Sequence, residues 1–185
     1  MSDTKEEILR LGELLIRDKG YNAFSYQDIS GKLSIKNAAV HYHFPKKSML
    51  AAQVLRDTRV KFDELMEDHR QATATEKLRA FFDIYKSSSE EHKICLVGAM
   101  ITDYNTLDEQ VSQELKLVMD EILTAVKNIL KEGRNSGAFF FKEKPRTKAL
   151  LIITNMIAAL QVARVTGQED YNKIEQAVIE GLTNP

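Results

Sequence analysis

The sequence predicts an all-α protein of about nine helices, with a small N-terminal domain followed by a helical bundle. Two observations support this prediction. The 185 residues include only three prolines and eight glycines, and the apolar residues recur at the three- and four-residue steps of a helix instead of alternating as in a strand. Hydrophobic residues make up 43% of the chain, which is enough for a buried core at this length.

Charge and cysteine content exclude several classes of protein. The 26 basic and 27 acidic residues nearly cancel, so a site for a polyanion must be local. The single cysteine, Cys95, excludes an internal disulfide framework and a cysteine-based zinc site. The N-terminus lacks the basic and apolar segments of an export signal. We therefore expect a cytoplasmic protein with no membrane, metal or cofactor requirement.

The sequence contains clear start and end signals for the first two helices. The first should cover residues 4–19 and end at Gly20. Ser25 and Asp28, three residues apart, match a capping box, and Phe24 and Ile29 occupy the positions of a hydrophobic staple. A second helix should therefore begin at Ser25 and extend to about residue 33.

The remaining helices are predicted from the period of the apolar residues and from the residues that interrupt it. Pro45 ends a short third helix, and the pairs Thr73/Glu76 and Thr106/Glu109 match further capping boxes. The predicted segments cover residues 36–44, 47–69, 73–89, 94–104, 106–133, 149–165 and 168–182. Thirteen of the seventeen residues 149–165 are apolar, which indicates a helix at the centre of a bundle or at a subunit interface.

Two short helices joined by a tight turn are the arrangement of a helix-turn-helix, whose second helix enters the major groove of DNA. Residues 20–50 contain four lysines and one carboxylate, so positive charge is concentrated where phosphates would lie. Lys36, Asn37, His41 and Tyr42 on the third helix can all hydrogen-bond base edges or phosphates. Val40 and Phe44 should face inward.

These residues resemble the TetR/AcrR family of transcriptional regulators. The similarity covers residues 4–55 and is carried by residues 20–21 (GY), 24–30 (FSYQDIS) and 39–44 (AVHYHF), and by Lys47 with Leu50. The resemblance implies that Ser25, Tyr26 and Gln27 lie near a DNA phosphate and that Lys47 binds another phosphate. It also implies that the reading face consists of Lys36, Asn37, Ala39, His41 and Tyr42.

The sequence departs from the family pattern at four positions, one of them Lys46, where a hydroxyl cap is absent. Ser34 stands where the turn often has glycine, Lys36 replaces the usual hydroxyl cap, and His41 replaces a common aromatic residue. The two added donors, Lys36 and His41, bear on sequence preference. They make transfer of a relative's operator unsafe.

The resemblance implies a DNA-binding domain at residues 1–50, joined through the helix at 47–69 to a ligand-binding and dimerisation domain at 51–185. The function it implies is a sequence-specific regulator, a repressor that a small molecule releases from a palindromic operator. Two DNA-binding domains about 34 Å apart on DNA require a dimer. We expect this dimer to form through helices at about 146–166 and 168–182.

A set of aromatic, methionine and cysteine side chains could line the effector cavity, although such helical stripes are more often simple core. These candidates are Phe62, Met66, Phe82, Tyr85, Cys95, Met100 and Tyr104.

Other functions remain open. A helical adaptor that has lost DNA binding would have the same C-terminal pattern. An enzyme would need a catalytic group such as Cys95 with His92, but no third orienting residue is identifiable. His41 and His43, two residues apart, fall on different faces of a helix and are unsuited to share a metal ion.

Overall fold

The computed structural model describes residues 4–91 and 93–184, and within these ranges the chain is all-α, as predicted. The described residues form nine α-helices and one short 3-10 helix, Tyr104–Thr106, between α6 and α7. In chain order the helices are α1 (Thr4–Lys19), α2 (Tyr26–Leu33), α3 (Asn37–His43), α4 (Lys47–Asp68), α5 (Ala74–Glu90), α6 (Leu96–Thr102), α7 (Glu109–Asn135), α8 (Pro145–Thr166) and α9 (Gln168–Thr183).

The described residues pack as two compact units. The first contains residues 4–60 and 96–119, and the second contains residues 61–95 and 120–184 apart from His92. Packing thus groups residues 51–60 and 96–119 with the N-terminal helices, whereas the sequence indicated a boundary after residue 50. Where the DNA-binding domain ends stays a prediction.

The first unit is built around α1, which packs against α2, α3 and α6. The predicted inward residues Val40 and Phe44 are buried, as are the two staple residues, Phe24 and Ile29. Gly12 of α1 faces Leu50 so closely that a Cβ at this glycine would lie 2.9 Å from the leucine side chain. The start of α4 is therefore held tightly against α1.

In the second unit, α8 packs against α5 and α9, and α5 also packs against α9. Its core includes the fully buried side chains of Phe81, Phe82, Phe139 and Tyr171. The Thr73/Glu76 capping box is present, because the Thr73 N–H donates to Glu76 Oε2 at 2.8 Å and the Glu76 N–H donates to Thr73 Oγ1 at 3.3 Å. This box fixes the start of α5, as predicted.

Helix α8 is apolar on both its buried and its exposed sides. Among the described residues it alone is long and apolar enough to cross a membrane by length and composition, with a third of its most apolar window buried in the chain. Leu151, Val162 and Val165 are exposed on its outer side. A single chain therefore leaves part of this apolar helix uncovered.

The predicted capping box at Thr106 and Glu109 is wrong. Thr106 lies in the 3-10 helix, where its hydroxyl donates to the Asp103 carbonyl at 2.7 Å and accepts from Asn22 Nδ2 at 2.8 Å. These two partners use the hydroxyl that would have capped the next helix. Helix α7 instead begins at Glu109 itself.

Candidate nucleic-acid interface

The start of α2 is fixed by the predicted capping residues. The Ser25 N–H and the Ser25 hydroxyl both donate to Asp28 Oδ2, at 2.7 and 2.8 Å. Lys19 Nζ donates to the other oxygen of this carboxylate at 3.3 Å. These bonds, first those from Ser25, lower the pKa of Asp28 to about 2, so the carboxylate is charged at neutral pH.

The turn between α2 and α3 depends on Ser34, which adopts a left-handed conformation with φ 55° and ψ 37°. The next N–H, that of Ile35, donates to the Ser30 carbonyl at 3.1 Å. This geometry is the usual reason for a glycine here, so serine at this position keeps the turn at some conformational cost.

Helix α3 presents polar side chains on one side and a buried anchor on the other. Val40 is completely buried, whereas Lys36, Asn37 and His41 are exposed. Tyr42 is 83% exposed, an unusual degree for a tyrosine side chain. The helix therefore offers a cation, an amide, an imidazole and a phenol to a partner.

Tyr26 is buried beneath this helix. Its hydroxyl donates to the Phe44 carbonyl at 2.8 Å, and its ring meets the His41 ring edge-on at 4.8 Å between centroids. Burial, the main cause, raises the pKa of Tyr26. In this conformation the phenol connects the start of α2 to the end of α3 and does not face solvent.

Lys47 is also engaged within the protein. Its Nζ donates to the Phe24 carbonyl at 2.6 Å and lies 4.3 Å from the Phe24 ring centroid and 4.7 Å from that of Tyr21. Partial burial lowers the pKa of Lys47, against the opposing effect of Asp103 and Asp28. The ammonium therefore joins the start of α4 to the loop between α1 and α2.

Two residues that the sequence did not single out, Asn22 and Asp103, complete this region. Asn22 donates to Asp103 through its backbone N–H, at 3.2 Å, and through Nδ2, at 3.0 Å, and also reaches Thr106. The partners are more than 80 positions apart, so no local pattern could have revealed them. The α1–α2 loop is thus attached to the segment that follows α6.

The predicted DNA-binding residues fall into two groups. Most are exposed or partly exposed on α2, α3 and the residues that flank them, whereas Tyr26 is buried and Lys47 is half-buried. The first group consists of Ser25, Gln27, Lys36, Asn37, Ala39, His41 and Tyr42.

The predicted effector residues divide between the two units. Phe62, Met66, Phe82, Tyr85 and Cys95 belong to the second unit, and Met100 and Tyr104 belong to the first. Most are buried, but Met66 is partly exposed and Tyr104 is 40% exposed. Phe82 borders a small cavity of about 10 Å³, which is far below the size of a ligand site. An effector role for these residues stays a prediction.

The catalytic and metal alternatives rest on few residues. Cys95 is buried, and His92, its suggested partner, lies outside the described residues. Within the described ranges, no group of three or more potential ligands, whether histidine, cysteine or carboxylate, could hold a metal ion.

Comparison with known proteins identifies the family. The family model described as "Tetracyclin repressor-like, C-terminal domain" matches residues 74–178. A TetR transcriptional regulator from Legionella pneumophila is 30% identical, with a TM-score of 0.87 and 98% of each chain covered. A TetR-family regulator from Agrobacterium tumefaciens is 25% identical, with a TM-score of 0.90 and 97% of each chain covered.

A curated relative has the same function class. The HTH-type transcriptional repressor KstR2 of Mycolicibacterium smegmatis is 29% identical over 148 residues, which cover 73% of this chain and 67% of that protein. Proteins of this family are regulators that bind DNA and carry a ligand-binding C-terminal domain, and they are not enzymes. From the matched C-terminal domain, the shared fold and the helix-turn-helix geometry, it follows that the chain belongs to the TetR family of DNA-binding transcriptional regulators.

Proposed function

We propose that this protein is a homodimeric repressor that reads a palindromic operator with α3 and leaves it when a small molecule binds the C-terminal domain. The observation that carries this proposal is the combination of an exposed polar face on α3 with firm attachment of its C-terminal end and its middle. Tyr26 bonds the carbonyl of Phe44 behind α3, and Val40 anchors the middle of the helix. A rigid reading helix loses little entropy on docking.

In the proposed complex, the exposed side of α3 lies in the major groove. Tyr42, Lys36 and Asn37 contact base edges or the phosphates next to them. Tyr26 acts as a positioning residue, because its hydroxyl is already bonded and its ring supports His41. Exposed Ser25 and Gln27 at the start of α2 meet the backbone.

Lys47 has a double role in this proposal. A lysine ammonium has three N–H donors, and one of them is directed to the Phe24 carbonyl. The two others are available for a phosphate oxygen, so Lys47 bridges the DNA backbone and the α1–α2 loop. Loss of Lys47 would therefore affect both phosphate binding and the position of the DNA-binding helices.

TetR-family regulators act as dimers, and we assign the interface to α8 and α9. The outer side of α8 exposes Leu151, Val162 and Val165, the last of them 89% exposed. On α9, Gly181 has open space around the position of a Cβ, which permits close approach of a second helix. An isologous four-helix contact would bury this apolar surface.

Regulation in this proposal is a population shift. An effector that binds more tightly to the conformation unable to engage DNA moves the equilibrium towards it. The protein would act in the cytoplasm, where its operator lies.

The decisive experiment is selection of binding sites from random double-stranded DNA. The best site is then titrated with wild-type protein, Lys36→Ala, Tyr42→Ala and Lys47→Ala at two salt concentrations. Lys142→Ala removes a lysine of the second unit and is the matched charge control. We expect the selected site to be an inverted repeat and the three variants of the DNA-binding helices to bind it more weakly. The slope of log affinity against log salt concentration should become shallower by about 0.9 for each phosphate contact that is lost.

The result has a clear alternative. If no DNA sequence is enriched and the same three variants bind DNA as the wild-type protein does, the adaptor hypothesis is favoured. Lys36→Ala removes an exposed side chain, so unfolding does not confound its effect on binding.

A further inference from the structure

The turn between α7 and α8 is built around a contact between Gly133 and Phe139. A Cβ on Gly133 would lie 2.0 Å from the Phe139 ring, so only glycine leaves room for this ring on the helix. The N–H groups of Ala138 and Phe139 both donate to the Gly133 carbonyl, at 2.8 and 3.0 Å. Gly137, with φ +76°, provides the left-handed residue of the turn. The turn is therefore a fixed structure.

The two phenylalanines that follow are placed at the surface. Phe140 donates its N–H to the Leu182 carbonyl at 2.7 Å, while its side chain remains 42% exposed. Phe141 lies under the guanidinium of Arg134, 5.0 Å from the ring centroid. The turn thus holds one exposed aromatic ring, Phe140, and a second ring covered by a cation, in fixed positions.

These groups line an open cavity of about 550 Å³, which is within the size range of small-molecule sites. We call it the α7–α8 cavity. It is bordered by the three phenylalanines, Gly137 and Asn184, and by the cations Arg134 and Lys142. The effector candidates from the sequence are not among these residues.

The surroundings of the α7–α8 cavity are strongly basic in a chain whose net charge is −1. Residues 127–148 contain seven cationic side chains and two carboxylates. Both carboxylates already have partners: Glu132 accepts from Lys77 Nζ at 2.8 Å, and Glu143 lies 3.9 Å from Lys148 Nζ. The local charge therefore favours an anion.

We propose that the α7–α8 cavity binds a nucleoside diphosphate. Its base would stack on Phe140, since every base has a face suited to an aromatic ring. Its phosphates would lie between Arg134, whose guanidinium can bind phosphate in a bidentate manner, and Lys142. A ligand with both a flat ring and several negative charges uses all the groups that the cavity presents. The proposal is independent of operator binding.

An anionic membrane surface is the other partner that basic and aromatic residues attract. The burial of the other rings argues against it, because Phe139 is buried and Phe141 is covered by Arg134. Only Phe140 could insert into lipid.

The test is calorimetric titration of the full chain with ADP, adenosine and pyrophosphate. ADP should bind at least roughly tenfold more tightly than either fragment, because each lacks one set of contacts. Arg134→Gln and Phe140→Ser should each weaken ADP binding by roughly tenfold. Arg146→Gln removes a cation of the same basic run outside the cavity lining, so it should leave the affinity within about twofold.

Three results would overturn the proposal. The first is the absence of ADP binding at millimolar concentration by protein whose circular dichroism is native. The second is equal weakening by Arg134→Gln and Arg146→Gln, which would indicate diffuse charge attraction. The third is sedimentation with phosphatidylserine vesicles that ADP does not reduce, which would assign the surface to a membrane.

Discussion

Asn22 donates two hydrogen bonds to the carboxylate of Asp103, one from its backbone N–H and one from its side-chain amide. The pair joins the loop before α2 to the segment after α6. Because α1 also packs against α6, a displacement of α6 would reach the α1–α2 loop through a direct contact. Lys47 lies against the same loop through the Phe24 carbonyl.

Asp103→Asn tests this connection. The amide of the variant can accept only one of the two bonds and turns an N–H donor towards Asn22. We expect the free energy of unfolding to fall by about 1 kcal/mol and the Asn22 amide to exchange its hydrogen faster, measured by chemical denaturation and hydrogen exchange. Asp120→Asn, an exposed position of α7, is the control and should change neither quantity.

The capping box of α2 should be visible in the titration of Asp28. The pKa of this carboxyl is lowered in the folded protein to about 2 from its ordinary value of 3.8. Its contribution to stability is therefore complete above the unfolded value and is lost as the pH falls towards 2. The thermal stability of Asp28→Asn should lie below that of wild type at neutral pH, and the difference should shrink between pH 4 and 2.

NMR titration of carboxyl carbons gives a direct check of this mechanism. In Ser25→Ala the hydroxyl donor is removed, so the midpoint for Asp28 should move upwards, towards its ordinary value. An Asp28 midpoint near 4 in the wild-type protein would show that the box is not formed in solution.

Tyr26→Phe distinguishes a positioning residue from a phosphate contact. The variant keeps the buried ring and leaves the Phe44 carbonyl without its donor, which should lower the free energy of unfolding by about 1 to 3 kcal/mol. The slope of DNA affinity against salt concentration should stay at the wild-type value, because no phosphate contact is lost. A slope change like that expected for Lys47→Ala would instead place the phenol at the DNA backbone.

Gly133→Ala should be strongly destabilising. The new methyl group would collide with the Phe139 ring, and overpacking of this kind costs about 1 to 3 kcal/mol. Gly31→Ala, on a helix with open space around the new Cβ, should instead stabilise the protein by about 0.5 to 1 kcal/mol. Urea unfolding of both variants measures the difference, and equal effects would refute the close contact.

The proposed dimer surface predicts the behaviour of Leu151→Glu. This variant places a carboxylate on the exposed apolar side of α8, where pairing with a second copy would bury its charge. Sedimentation should therefore reveal monomers with unchanged helix content. Val60→Glu, at an exposed valine of α4, should remain dimeric, and a dimeric Leu151→Glu would show that the interface lies elsewhere.

Local signals in the sequence predicted the helices well and the long-range contacts poorly. The capping boxes at Ser25 and Thr73 depend on neighbours three positions away, so the pattern alone reveals them. Thr106 matches the same pattern, yet its hydroxyl bonds Asn22, which no local rule takes into account. Tertiary partners also explain why Tyr26 is buried. The family resemblance implied that this residue lies near a phosphate, whereas in the fold it lies under α3.

The exposed side of α8 illustrates another limit. Its composition indicated a helix at the centre of a bundle or at a subunit interface, but sequence periodicity cannot distinguish cover by the same chain from cover by a second copy. The α7–α8 cavity could have been suspected from three consecutive phenylalanines among basic residues. Only the buried position of Phe139 distinguishes the floor of that cavity from its walls.

The tight contact between Gly133 and Phe139 has an evolutionary consequence. The two positions share one volume, so related proteins should change them together, with a side chain at the first position accompanied by a smaller one at the second. Such covariation would trace which lineages retain this turn. A relative with a bulky residue at both positions must direct the chain along another path between α7 and α8, and would have lost the cavity along with the turn.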